Sequence, residues 1–156
     1  STNYRSPAEV FDLAAQVVRR SYPEADLPAA VRSTGFDPVL IEAPADDLAE
    51  RLDTQLAELA DQVDGTIGVI APPSRLDALV SADLPAVEAA SGRITFVLPL
   101  DAKGLEYDGV VVVAPDEIVA ESPGGVRVLY VALTRPTQRL VTIDVDGPGA
   151  WRKGLR

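Results

Sequence analysis

The stretch GVVVVA, residues 109 to 114, is a run of small and β-branched apolar residues that no polar residue interrupts. Such a run is typical of a strand buried on both faces, because neither set of alternating side chains has to meet water. Comparable runs occur at TIGVIA (66 to 71), RITFVL (93 to 98) and RLVTIDV (139 to 145). Strands of this kind predict a mainly parallel sheet covered by helices on both faces, which is an α/β fold.

Helical patterns separate these predicted strands. SPAE, residues 6 to 9, matches a capping box with proline at the first helical position, and predicts a helix from residue 7 to about residue 20. A second helix is predicted from Asp46, with a leucine stripe on one face, to the stop signal at Asp64-Gly65. Further predictions are a strand at 39 to 42, a short helix that Pro72-Pro73-Ser74 opens and that runs to about residue 81, a helical turn at 84 to 90, and a helix at 126 to 134. In such sheets ligands bind beyond the carboxyl ends of the strands, so we expect the chemistry in the loops that follow strands.

Composition limits the chemistry that the chain can perform. Its 156 residues, 47% of them hydrophobic and 24% charged, suit one folded globular domain. The absence of His and Cys excludes disulfides, thiol nucleophiles, histidine triads and Cys/His zinc sites, and leaves only oxygen-ligand metals such as magnesium. No apolar run is long enough for a membrane helix, so no membrane partner is expected, and the lack of cysteine fits a cytoplasmic protein.

The net charge of the chain and the way it begins both affect which partners we expect. The net charge of −10 should repel nucleic-acid phosphates on average, so any nucleic-acid contact has to be local or shared with another part of a larger protein. The chain contains no methionine and opens almost directly on a helix start. We therefore expect residues 1 to 156 to be a single domain excised from a larger protein.

The stretch NYRSPAE, residues 3 to 9, offers a first candidate site. Tyr4 and Arg5 precede the predicted helix, where free amides, the helix dipole and a guanidinium would attract an anion and a phenol ring can stack on a base. The alternative is a surface arginine beside a well-capped helix.

The stretch DAKGLEYD, residues 101 to 108, offers a second candidate site. Gly104 permits a tight turn, Lys103 can contact a phosphate, and Glu106 can accept hydrogen bonds from a ribose. The alternative is a tight turn whose charges are only solvated.

The stretch LYVALTRPTQRL supplies a third candidate, Arg135. Because Pro136 disfavours helical geometry at the preceding residue, Arg135 is predicted at the corner between a helix and the last strand. An arginine in that position can stabilise charge on a transferring phosphoryl group. The alternative is a cation that ends the helix and satisfies its last carbonyls.

The acidic pair in VVVVAPDE looks like the magnesium carboxylates of phosphate-loop enzymes. However, Ala114-Pro115 separates the strand from Asp116 and Glu117, and the chain has no G-x-x-x-x-G-K-[ST] sequence. We therefore interpret Asp116 and Glu117 as an ordinary loop or helix start.

Taken together, the three stretches resemble motifs of the C-terminal half of UvrD/Rep-type superfamily 1 DNA helicases. NYRS is similar to that family's motif IV, AKGLEYD to motif V and LYVALTR to motif VI, and the resemblance extends from residue 3 to about residue 145. It implies a RecA-like second motor domain, whose partner is an N-terminal RecA-like domain of the same parent protein. ATP would bind between the two domains, with Mg²⁺ held by the N-terminal one, and DNA would be the track.

The resemblance also implies roles for the candidate residues. Tyr4 would stack on the adenine, and Arg5 and Arg135 would reach the γ-phosphate as catalytic groups. Gly104 and Glu106 would lie on the nucleotide side of motif V, with Glu106 near the ribose. The residues implied to lie nearest the nucleic acid are Lys103 and Asp101.

Departures from the family pattern keep a second function open. The interval between NYRS and AKGLEYD is too short for the usual inserted domain, as in the helicase-IV and HelD-like branch, whose HelD members act on bacterial RNA polymerase. Pro99-Leu100-Asp101 replaces the usual Thr-x-His, and Pro136 replaces the usual alanine. The alternatives are therefore an ATPase that remodels RNA polymerase and a stand-alone interaction module with a decayed site. Intact Arg5, Glu106 and Arg135 argue against decay.

Overall fold

The computed structural model describes residues 6 to 28 and 32 to 155. Tyr4 and Arg5 therefore lie outside the described residues. The strands are β1 (Val39–Ala43), β2 (Ile67–Ile70), β3 (Ile94–Val97), β4 (Tyr107–Val113) and β5 (Pro136–Val145). The helices are α1 (Ala8–Ser21), α2 (Leu48–Gln62), α3 (Pro73–Ser81), α4 (Pro85–Ala89), α5 (Pro115–Glu121) and α6 (Val126–Leu133). Single 3₁₀ turns are formed by Ala45–Asp47, Pro99–Asp101 and Ala150–Arg152.

The described strands form one five-stranded sheet in the order β1-β5-β4-β2-β3, and every pairing is parallel. Val111 of β4 pairs with Val69 of β2 and with Val141 of β5, so the strand that contains GVVVVA lies at the centre of the sheet. This arrangement confirms the parallel α/β sheet predicted from the sequence.

Helices cover both faces of the sheet. Val111 and Val113 of β4 face a core formed with α2, α3 and α4, whereas Val110 and Val112 face a core formed with α1, α5 and α6. All four valines are fully buried. Burial on both faces is the physical reason that GVVVVA carries no polar side chain.

Helix α2 illustrates how the apolar pattern produces packing. Leu52, Leu56 and Leu59 lie on one face of α2 and are no more than 1% exposed. Complete burial of such a side chain stabilises the fold by about 1.5 to 3 kcal/mol. The predicted leucine stripe is therefore the inner face of this helix.

The predicted capping box at the start of α1 is wrong. No side chain caps the helix, whose N-cap is Pro7. The hydroxyl of Ser6 instead donates to the backbone carbonyl of Thr134, and the carboxylate of Glu9 accepts hydrogen bonds from residues 33 to 35. Ser6 and Glu9 therefore bond residues that are distant in the sequence and that folding brings close, instead of forming the local capping bonds that the pattern predicts.

Two strands are longer than predicted at their amino ends. β4 begins at Tyr107 instead of residue 109, and β5 begins at Pro136 instead of residue 139. Proline lacks an amide donor but is tolerated as the first residue of a strand. Consequently Arg135 lies directly at the junction between α6 and β5.

The position of the candidate residues differs from the expectation that chemistry follows the carboxyl ends of strands. Glu106 precedes β4 and Arg135 precedes β5, so both lie at the amino edge of the parallel sheet. Asp101, in contrast, belongs to the turn that directly follows the carboxyl end of β3. Within the described ranges, no helix is long and apolar enough to span a bilayer.

Candidate functional site

Glu106 and Arg135 are neighbours at the amino edge of the sheet. Tyr107, which follows Glu106, pairs with Pro136, which follows Arg135. The amide of Tyr107 donates a hydrogen bond to the carbonyl of Arg135 at 3.2 Å. The sheet register therefore brings Glu106 and Arg135 together, although they are far apart in the sequence.

The side chain of Arg135 is folded back onto the end of α6. Its Nε donates to the carbonyl of Val131 at 2.7 Å, and its two terminal nitrogens donate to the carbonyl of Leu105 at 3.3 Å and the hydroxyl of Thr134 at 3.1 Å. These contacts are those of a cation that ends a helix, the alternative considered from the sequence. They also connect α6 to the loop that carries Glu106.

The electrostatics of Arg135 follow from this position. Burial lowers the pKa of the Arg135 guanidinium, and the negative charge of Glu106 and the nearby Tyr130 partly raise it again. Burial likewise raises the pKa of Tyr130, while Arg135 and Arg19 oppose that change. Arginine stays protonated at neutral pH, so the corner carries a partly desolvated positive charge beside a carboxylate.

Ser6 ties the start of α1 to the same corner. Its hydroxyl donates to the carbonyl of Thr134 at 2.6 Å, and Ser6 and Thr134 are 0% and 3% exposed. Ser6 follows Arg5 in the chain, and Thr134 precedes Arg135. The structure thus brings the end of the NYRS motif to the end of the LYVALTR motif.

The stretch from Asp101 to Leu105 forms a turn that is exposed except at the buried Ala102. The amide of Leu105 donates to the carbonyl of Ala102 at 3.0 Å, and Gly104 has a φ of +84°, in the left-handed region that favours glycine. A Cβ at Gly104 would meet no atom within 4 Å, so the backbone angle and not packing calls for glycine there. Lys103 and Asp101 are exposed to solvent.

Asp108 is a structural residue of this edge that the sequence analysis did not single out. Its carboxylate accepts hydrogen bonds from the amide of Gly65 at 2.8 Å and from the hydroxyl of Thr137 at 3.4 Å. The pairing of β4 with β5 shifts register here, between Tyr107 and Gly109. Such irregularities are common next to active sites. No local pattern in the sequence signals the shift.

Asp116 and Glu117 are engaged in structural contacts, as their interpretation as an ordinary helix start predicts. Asp116 accepts hydrogen bonds from the amides of Ala150 and Trp151 at 2.7 and 2.8 Å. Glu117 forms an ion pair with Arg75 at 2.8 Å, and hydrogen bonding to Arg75 lowers the pKa of Glu117. Among the residues that the structure describes, no three acidic side chains are grouped as a metal site.

The residues at the carboxyl end of β5 also make structural contacts. Asp144 is 2% exposed and accepts hydrogen bonds from Trp151 Nε1 and Arg152 Nε, both at 2.7 Å, and from the amide of Gly149 at 3.0 Å. Arg20 donates to the carbonyls of Ala150, Trp151 and Lys153. These contacts fasten the C-terminal 3₁₀ turn to the sheet. Nothing in the local sequence reveals this role of Asp144.

Comparison with known proteins supports the fold. No protein-family model and no curated protein matches the sequence. The structure is similar to the crystal structure of the C-terminal domain of a possible DNA helicase from Lactobacillus plantarum WCFS1, with a TM-score of 0.71 and 20% sequence identity over 99% of this chain and 95% of that chain. The RecA-like three-layer fold predicted from the sequence is thereby confirmed.

Proposed function

We propose that this chain is the second motor domain of an ATP-dependent DNA helicase or translocase of the UvrD/Rep type, which completes an ATP site together with a first motor domain. The observation that carries the proposal is the meeting of three motifs at one edge of the sheet. Glu106 and Arg135 precede neighbouring strands, and Ser6 hydrogen-bonds the residue before Arg135. A similar fold in the C-terminal domain of a possible DNA helicase supports it.

In this proposal Arg135 stabilises the charge that develops on the γ-phosphate. Its hydrogen-bond acceptors in the structure are backbone carbonyls and a hydroxyl, all of them uncharged. Charge-assisted hydrogen bonds to phosphate are roughly twice as strong as those between neutral groups, so a phosphate oxygen would compete well for the guanidinium. Arg5 would supply a second positive charge, and Tyr4 would stack on the adenine.

Glu106 would accept hydrogen bonds from the ribose, and Gly104 would let the turn approach the nucleotide. The chain has no phosphate loop, so the triphosphate cradle and the carboxylates for Mg²⁺ would belong to the first motor domain. Closure of the two domains would bring the arginines to the phosphate and couple hydrolysis to movement along DNA. The isolated chain should therefore not hydrolyse ATP.

The test is ATP hydrolysis by the longer protein in which this domain is joined to a first motor domain, with and without single-stranded DNA. Arg135→Ala should reduce kcat about a thousandfold or more while changing ATP binding far less. The matched control is Arg127→Ala, because Arg127 lies at the other end of α6 and packs over the ring of Tyr22 at 4.4 Å. Equal turnover by wild type and Arg135→Ala, or hydrolysis by the isolated chain, would contradict the proposal.

A second function, remodelling of RNA polymerase, is favoured by one feature of the β3–β4 connection. Pro99-Leu100-Asp101 stands where relatives of this class carry a histidine that contacts nucleic acid, and Leu100 is 59% exposed. An exposed leucine beside an aspartate suits a protein surface better than a phosphate backbone. Strong stimulation of ATP hydrolysis by single-stranded DNA would favour the translocase. Hydrolysis indifferent to DNA would make RNA polymerase the partner to test.

A further inference from the structure

Residues 32 to 36 lie in a segment that the sequence marks only as irregular, yet they are fastened to α1. The carboxylate of Glu9, in the first turn of α1, accepts hydrogen bonds from the hydroxyl of Ser33 and from the amides of Thr34 at 3.1 Å and Gly35 at 2.8 Å. These donors, the Ser33 hydroxyl above all, lower the pKa of Glu9 from 4.5 to about 2. Glu9 is therefore an ionised anchor for this segment at neutral pH.

The same segment is also fastened to the start of β5. The guanidinium of Arg32 donates to the carbonyl of Thr137 at 2.5 Å, while the carbonyl of Arg32 accepts from the amide of Ala8 at 2.7 Å. The guanidinium of Arg139 lies over the ring of Phe36, 3.5 Å from its centre. Residues 32 to 36 thus bridge the first turn of α1 and the first residues of β5.

In the sequence, each of the two elements that the segment bridges begins shortly after an arginine of the proposed site. Arg5 lies shortly before α1, and Arg135 lies immediately before β5. We propose that residues 32 to 36 form a clasp that sets the position of Arg135 relative to the first turn of α1, and that Glu9 is a positioning residue acting through this clasp. This inference rests on the function proposed above, because it gives the clasp a role in that reaction.

The expected effect follows from how strongly phosphoryl transfer depends on placement. A displacement of about 1 Å in a group that stabilises the transition state can cost on the order of a hundredfold in rate. Glu9→Gln keeps the size of the side chain but removes the charge that attracts the donors of Ser33, Thr34 and Gly35. In the longer protein, Glu9→Gln should lower kcat for ATP hydrolysis by on the order of tenfold to a hundredfold, with KM for ATP within about twofold of wild type.

Controls separate positioning from folding and from direct catalysis. Glu50→Gln removes a carboxylate from the first turn of α2, away from the clasp, and should leave kcat unchanged. Glu9→Asp keeps the charge and should recover part of kcat. Since Glu9 stays ionised at neutral pH, Glu9→Gln should not shift the pH profile of kcat between pH 6 and pH 9. A shifted profile would mean that Glu9 acts directly as an acid or base, and would overturn the positioning role.

Hydrogen exchange tests the clasp independently of activity. In Glu9→Gln, the amides of Thr34 and Gly35 should exchange faster than in wild type, while those of α2 should not change. Unchanged exchange at Thr34 and Gly35 would overturn the clasp. Faster exchange with wild-type kcat would overturn its positioning role and leave the proposed function standing. A wild-type longer protein without ATP hydrolysis would overturn the proposed function and the role of the clasp in it, whereas the exchange result would still report the contacts.

Discussion

The hydroxyl of Ser6 and the carbonyl of Thr134 form a buried hydrogen bond of 2.6 Å. It joins the N-terminal end of α1 to the C-terminal end of α6, and it connects the residue after Arg5 to the residue before Arg135. A local capping bond at Ser6 would have left the two motifs independent of each other. The bond to Thr134 makes Ser6 and the end of the LYVALTR segment parts of one structural unit.

Ser6→Ala should lower the free energy of unfolding by about 1 to 3 kcal/mol, because it removes the donor and leaves the buried Thr134 carbonyl without it. Urea denaturation followed by circular dichroism measures the change. Ser81→Ala, at the exposed end of α3, is the matched control and should stay within about 0.5 kcal/mol of wild type. Equal stability of Ser6→Ala and Ser81→Ala would mean that the bond contributes nothing.

Asp144→Ala should lower the free energy of unfolding by about 2 to 4 kcal/mol, because the amide of Gly149, Trp151 Nε1 and Arg152 Nε lose their buried acceptor. Trp151 is the one tryptophan of the chain and donates directly to Asp144. Its fluorescence emission should therefore shift to longer wavelength as the 3₁₀ turn loosens. Asp61→Ala on the exposed side of α2 should change neither quantity. An unchanged emission spectrum in Asp144→Ala would contradict the fastening role.

Acid should weaken the fold partly through Glu9. The pKa of Glu9 is about 2 in the folded chain against 4.5 for an unperturbed glutamate. The ionised carboxylate therefore stabilises the fold above pH 4.5, and that stabilisation is lost as the pH falls from 4.5 towards 2. Glu9→Gln should show a shallower decrease of Tm across this interval than wild type or Glu50→Gln. Parallel Tm profiles for all three proteins would refute this contribution.

Lys103→Ala in the longer protein should weaken single-stranded DNA binding and reduce the salt slope of the affinity by about 1, if Lys103 contacts one phosphate. The control is Lys153→Ala, because Lys153 is the other lysine of the chain. It follows the C-terminal 3₁₀ turn, and its backbone carbonyl accepts a hydrogen bond from Arg20. A titration of labelled DNA at several salt concentrations gives both slopes. Identical slopes for the two variants would remove Lys103 from the DNA contact.

The strands and helices followed from the sequence because their signals are local. Runs such as GVVVVA and the leucine stripe of α2 report burial directly, since water excludes polar side chains from both faces of a covered strand and from the inner face of a helix. The ends of elements were predicted less well. The first residues of β4 and β5, Tyr107 and Pro136, pair ahead of a register shift between Tyr107 and Gly109. Asp108 lies at that shift and contacts Gly65 and Thr137, which are distant in the sequence.

The sequence predicted the residues of the candidate site one by one, but not how they are arranged. Arg135 and Glu106 were singled out by their motifs, but their position at the amino edge was not expected, because the general rule for α/β sheets favours the opposite edge. The sequence pattern of residues 32 to 36 does not predict the clasp that these residues form. Its contacts join residues that are distant in the chain, and Glu9 reads locally as half of a capping box.

The sequence by itself determined the layered α/β architecture, the helical and extended segments, and the residue types available for chemistry. These properties depend on hydrophobic periodicity and on which side chains are present, and neither needs a distant partner. Only the tertiary structure decided that Ser6 bonds Thr134, that Glu9 holds residues 33 to 35, and that Arg135 lies beside Glu106. Each of these contacts forms between segments that meet only when the sheet and its covering helices pack, because a hydrogen-bonding group takes whichever partner the folded chain brings within reach.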